Sequence, residues 1–260
     1  MKNLKLSTLI ISLLLGVLDL SHADFLDQLG LTQKKSTNQT AGSTSALTAL
    51  SQDQMAGGLK EALGKGVERA ISQLGHSGGF LTNLNVKIPM PEKLRTVEKT
   101  LRTLKQEKLA DDFVNTMNHA AEQAVPEAAN VFGDAIKQMT FADAKAILSG
   151  TNNAATEFFR KTTSTSLNAK FLPIVKQATS KAGVTAAYKN MMSKVSGADT
   201  LGGALGGFIN QDAMDIDSYV TKRAMDGLFK MVADEEKRIR ENPVARTTDL
   251  LQKVFGAATK

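Results

Sequence analysis

"LADDFVNTMNHAAEQAVPEAANVFGDAIKQM" (residues 109–139) decides the fold class. At about 100° per residue, Leu109, Phe113, Met117, Ala120, Ala121 and Ala124 fall on one stripe, the signature of a helix with a single apolar face. Pro126 suits the opening turn of a second helix, where its missing N–H costs nothing. That helix turns Ala128, Ala129, Phe132, Ala135, Ile136 and Met139 inward. Two amphipathic helices joined at a proline corner, with alanines that permit close approach, predict neighbours in an antiparallel bundle. Off the first stripe run Asn118, His119 and Glu122, with Glu122 one turn after His119. These three form a polar edge, and the periodicity leaves open whether it faces water or another helix.

The same period extends in both directions. Met55, Leu59, Leu63, Val67, Ala70, Ile71 and Leu74 recur three or four apart, and Gly75 closes that helix. Gly57, Gly58, Gly64 and Gly66 lie inside it, each costing about 1 kcal/mol relative to Ala, so close packing of a neighbour is expected there. The connection "HSGGFLTNLNVKIPMPEKL" is the least helical part, because Pro89 and Pro91 restrict the residues before them to extended conformations. Val86 and Ile88 alternate with Lys87, which leaves room for one short extended piece or ribbon near 84–90. A helix with Leu94, Val97, Leu101 and Leu104 inward follows. Downstream, Thr140 and Asp143 predict a capping box for "FADAKAIL". Pro173 marks a kink or a fresh start, and "VTAAYKNMMSKV" adds a short helix. The segment 196–217 reads as a glycine-rich loop ending at Asp215 or Asp217 as N-cap. A long helix then runs from Asp217 to Glu241. "NPVARTTDLLQKVFG" closes the fold with Leu250, Leu251, Val254 and Phe255 as anchors. The expectation is an all-α chain: a single multi-helix bundle over 47–260 with about eight to ten helices and short loops.

Before residue 47 the character changes. Lys2 and Lys5 precede an apolar run from Leu6 to Leu18, and Ser21-His22-Ala23 has small residues at its first and third positions. This is the pattern of a secretory signal peptide cleaved after Ala23; the run is too short to span a hydrocarbon core about 30 Å thick. Residues 24–46 are polar, small and aperiodic, as in a flexible tether. Composition narrows the compartment further. The chain has no cysteine, so disulfides, a lipid-modified cysteine and a thiol nucleophile are all excluded. An exported, cysteine-free domain points to the periplasm of a Gram-negative bacterium. Its mature charge would be +5, favouring attraction to anionic lipid or wall polymer.

Tests for chemistry mostly fail. The sequence holds no phosphate loop ending in GK[ST] and no H-E-x-x-H. His119 with Glu122 reverses the spacing of the Glu-x-x-His pair in di-iron bundles, and no second copy exists. No metal and no cofactor are therefore expected. Asp212, Asp215 and Asp217 lack the glycine and final glutamate of a calcium loop. Asp111-Asp112 and Glu235-Glu236 would serve glycan hydrolysis only across a cleft about 5 to 9 Å wide. Lys237, Arg238, Arg240 and Arg246 make the densest basic cluster, but glutamates interrupt it and no aromatic ladder accompanies it, so nucleic acid is not an expected partner. Arg240 and Arg246 flank Pro243, where they would bond the preceding helix's last carbonyls or offer an anion site. The candidate binding residues are thus Asn118, His119, Glu122, Arg240 and Arg246.

"GLKEALGKGVERAISQLG", "VKIPMPEKL", "MNHAAEQAVPEA", "FGDAIKQMTFADAKAILSG", "AATEFFRKTT" and "GLFKMVADEEKRIRENPVARTTDLLQKVF" resemble, in number and order, the blocks of the bacterial family called domain of unknown function 4197, over about residues 57 to 256. The resemblance implies an exported helical protein and transfers no catalytic role. The expected function is a non-enzymatic envelope module that binds a lipid, a wall polymer or a periplasmic protein. The alternative is a periplasmic hydrolase that uses carboxylates or His119.

Overall fold

The computed structural model describes residues 51–181, 215–245 and 248–258. The expected leader, the tether, the short helix near 184–195 and most of the glycine-rich segment lie outside the described residues. Within them the chain is all helical, with α1 Gln52–Leu74, α2 Arg95–Thr103, α3 Glu107–Ala124, α4 Ala128–Gln138, α5 Phe141–Leu148, α6 Ala154–Lys181, α7 Ile216–Glu241 and α8 Asp249–Ala258. Single 3-10 turns at Glu92–Leu94, Val125–Glu127 and Pro243–Ala245 set the corners.

Local chemistry explains the boundaries. Ser51 and Gln54 form a reciprocal capping box at the start of α1, and Thr140 and Asp143 form the expected one at α5. Asp215 caps α7 by accepting from the Ser218 N–H. Pro126 occupies the 3-10 turn between α3 and α4. The helix expected to continue to Leu104 stops at Thr103, because Lys105 turns the chain with φ 55°; Leu104 is therefore 40% exposed rather than inward.

α6 and α7 lie antiparallel, tied by Thr156 to Glu236 at one end and by Thr179 to Asp217 at the other. α6 also packs on α3, α4 and α5, while α1 packs on α4, α5, α7 and α8. The continuity of α6 through Pro173 rules out a fresh start there. Its buried residues Ala155, Phe159, Thr163, Leu167, Phe171, Val175 and Thr179 recur every fourth position. A repeat of four on a helix of about 3.6 residues per turn advances the stripe by about 40° each time, so the apolar face winds around the axis. That winding lets one helix serve several neighbours, and it hides the helix from a search for one fixed face. At the centre, Phe132 meets Phe159 and Phe229 edge to face, with ring centroids 4.9 and 6.1 Å apart.

The glycines of α1 divide. A Cβ on Gly58 would come within 2.9 Å of Leu250 and Val254 of α8, whereas Gly57 has open space around it. Close packing accounts for one of the adjacent pair only.

The connection from Gly75 to Pro91 makes no ribbon, contrary to the extended-pair possibility, and the described residues contain no strand. Gly78 takes φ 87°, and the carbonyl of Asn83 accepts from both Val86 and Lys87. Phe80 and Val86 press on Gly227 of α7, where a Cβ would meet Phe80 at 2.8 Å. Packed there, the connection lies across the face of α3 opposite its alanine stripe. Its backbone must find partners on that helix.

Candidate functional site

Those partners are the polar edge of α3. The Asn118 carboxamide is fully buried. Its Oδ1 accepts from the Ile88 N–H at 2.8 Å, and its Nδ2 donates to the Ile88 carbonyl at 2.9 Å and to the Val114 carbonyl at 2.8 Å. One side-chain amide thus does for Ile88 what a neighbouring strand would do. Glu122, only 4% exposed, accepts through Oε1 from the N–H groups of Phe80 at 3.0 Å and Leu81 at 3.3 Å. Its Oε2 accepts from His119 Nδ1 at 3.2 Å, and His119 itself is 55% exposed. Only His119 keeps a half-exposed ring; the rest of the polar edge, Asn118 and Glu122, faces neither water nor a second helix. It faces a loop whose own amides need acceptors, since an unpartnered buried N–H costs about 1–3 kcal/mol.

A second buried cluster lies near the far end of α7. Glu236 accepts from the backbone N–H groups of Ala155 and Thr156, both at 2.9 Å, and from the Thr156 hydroxyl. These are orphan donors of the first turn of α6. The Asn153 side chain just before that turn is engaged by the Thr151 hydroxyl instead. Arg240 donates to Glu236 through Nε at 3.1 Å and Nη2 at 2.9 Å, and through Nη2 to the Ile147 carbonyl at 2.8 Å, in the last turn of α5. Carboxylate at a helix start and guanidinium at a helix end both complement the helix dipole. Arg240 thus reaches the end of α5, because α7 runs past the junction of α5 and α6. Arg246, the other flanking arginine, lies outside the described residues. In the same manner Lys60 of α1 reaches the Lys137 carbonyl at the end of α4.

The remaining candidates separate. Asp111 pairs with Arg102 at 3.1 Å and Asp112 with Lys108 at 2.6 Å on the exposed surface. Glu235 is buried between Arg69 at 3.0 Å and Arg238 at 2.6 Å. The Asp143 and Asp215 carboxyls sit below their ordinary range, held by the hydroxyls and backbone N–H groups of the helix starts they cap. Glu98, then Asp111, raise the Arg102 guanidinium. No group of three or more His, Asp or Glu able to hold a metal ion occurs among the described residues. Beside Arg240, Glu236 and Phe255 a void of about 10 Å³ has room for about one water.

Sequence reasoning singled out Asn118, Glu122 and Arg240 but not the roles they share with Glu236 and Lys60. The signal available was an ionisable or amide residue at a helical position flanked by buried ones, as for Glu236 beside Ile239 and Val232. What it bonds lies 81 residues away.

These observations define a class: helical bundles whose buried polar side chains are committed to neighbouring loops and helix ends. The chain belongs to the family DUF4197, described as a protein of unknown function, whose family model matches residues 49–256. No curated protein and no solved structure matches the chain.

Proposed function

We propose that the protein is a non-enzymatic interaction module of the bacterial cell envelope, exported by the segment before Asp24 and held off its N-terminus by residues 24–46. The observation that carries this reading is the engagement of Asn118, Glu122, Glu236 and Arg240 with backbone groups of the fold itself. A carboxylate that already accepts two buried N–H groups is a poor general base, since taking a proton would weaken both bonds. The basic charge and the apolar leader supply the envelope assignment, and no helix among the described residues is long and apolar enough to cross a membrane.

Native mass spectrometry of the protein purified from its own cells tests the module. A retained lipid, polymer fragment or protein is expected, and the bare polypeptide alone would overturn the reading. N-terminal sequencing should begin at Asp24; a chain that keeps Met1 overturns export. The hydrolase reading rests on the half-exposed His119 beside Glu122. It predicts that His119→Ala abolishes complementation of a deletion strain, whereas the module reading predicts full complementation.

A further inference from the structure

We propose that Met231 is a site of reversible oxidation to the sulfoxide by a hydroperoxide, with the Asn83 carboxamide assisting the oxygen transfer; this goes beyond the module reading and does not rest on it. The chain has no cysteine, so methionine thioethers are its readily oxidised sulfurs. Met90, Met117 and Met139 are sealed in the core, at most 4% exposed. Met55, Met225 and Met231 are half-buried. Of these three, Met231 alone has a hydrogen-bond donor on its sulfur among the described residues: Asn83 Nδ2, from the connection between α1 and α2, lies 3.8 Å from Sδ. The packing that seats the connection also places this donor. Phe80 and Val86 press on Gly227, one turn before Met231 on α7. The Asn83 Oδ1 accepts from the Asn85 N–H, and the Asn83 carbonyl accepts from Val86 and Lys87. The carboxamide is thus held by its oxygen and its backbone, while its nitrogen is left with a thioether, a weak acceptor.

In the transfer, a lone pair of the Met231 sulfur attacks one oxygen of the hydroperoxide, and the S–O bond forms as the O–O bond breaks. Sulfur loses two electrons and the peroxide gains them. With hydrogen peroxide, the departing oxygen leaves as hydroxide and takes the proton of the transferred oxygen, giving water. Negative charge grows on both oxygens along the way. A preplaced N–H beside the sulfur meets that charge and then donates to the sulfoxide oxygen, a polar acceptor that the thioether lacked. Asn83 gives up no proton. A bond of ordinary strength made only as the oxygen arrives is worth about threefold in rate or more.

The test is graded oxidation of the protein purified from its own cells by dilute hydrogen peroxide at neutral pH, with the sulfoxide followed at each methionine by peptide mass spectrometry. Met231 is expected to oxidise about threefold faster or more than Met225, which shares its helix and its half-buried state. Asn83→Asp keeps the oxygen that accepts from Asn85 and removes the N–H. Oxidation of Met231 should then slow by a similar factor while that of Met225 does not change, and matched thermal melts establish that the variant folds. Methionine sulfoxide reductases of both epimer specificities, supplied with a thiol reductant, should return Met231 to the thioether. Met231 oxidising no faster than Met225, a ratio of the two rates unchanged by Asn83→Asp, or a sulfoxide at Met231 that the reductases leave in place while clearing Met55 would each overturn the site.

Discussion

Glu122→Ala strips one buried and one half-buried N–H group of their acceptor, and Asn118→Ala frees both polar groups of Ile88. Each substitution should lower unfolding stability by about 2–4 kcal/mol, read as a shift in denaturant midpoint with unchanged slope. His119→Ala should change it by less than about 0.5 kcal/mol, because a half-exposed partner contributes little. The helical wheel places Asn118 and Glu122 opposite the alanine stripe, and that much is legible in the sequence. Their burial is not, since the covering residues stand 30 to 42 positions earlier and nothing local marks the pairing. At the adjacent glycines of α1 the outcomes diverge. Gly57→Ala should stabilise by about 0.5–1 kcal/mol through helix propensity, while Gly58→Ala should destabilise by about 1–3 kcal/mol by pushing on Leu250 and Val254. Thermal melts of the two variants decide this.

At the scale of elements, signals confined to one helical turn were the readable ones. Thr140 with Asp143 and Asp215 with Ser218 each close within three residues, so the sequence alone locates the first of these helix starts and narrows the second to Asp215 or Asp217, of which Asp215 is the cap. Asp215 also yields a pH test. The Ser218 hydroxyl, then its N–H, favour the charged carboxyl and hold it below its ordinary value of 3.8. A depressed folded-state value contributes stability that is complete above 3.8 and is lost as pH falls through the lower folded value. Asp215→Asn keeps an equivalent cap without the titration, so stability at neutral pH should be nearly unchanged while the acid limb below that value becomes shallower. The winding stripe of α6 was less legible, because a four-residue repeat presents no fixed face and Pro173 mimics a boundary. Pro173 is exposed, so the lost hydrogen bond falls on the solvent side. Pro173→Ala should restore a donor and raise stability by about 1–2 kcal/mol after the gain in unfolded-chain freedom is subtracted, as measured by chemical denaturation.

Across the whole molecule, helices supply both the core and the groups that finish one another's ends. Glu236, Arg240 and Lys60 satisfy the termini of α6, α5 and α4 from outside those helices. Class and approximate helix order follow from periodicity, but this cross-linking depends on which helices meet, which a periodic pattern does not encode. The loop over α3 extends that logic to kinetics. The Phe80 and Ile88 amides are held by side chains of a distant helix, so in deuterium exchange they should behave as reporters of α3. Their protection should match that of the interior amides of α3, although they belong to irregular backbone. Rapid exchange at Phe80 and Ile88 beside a slow α3 would show that the loop lifts independently. Matching rates would make loop and helix one cooperative unit, released together or not at all.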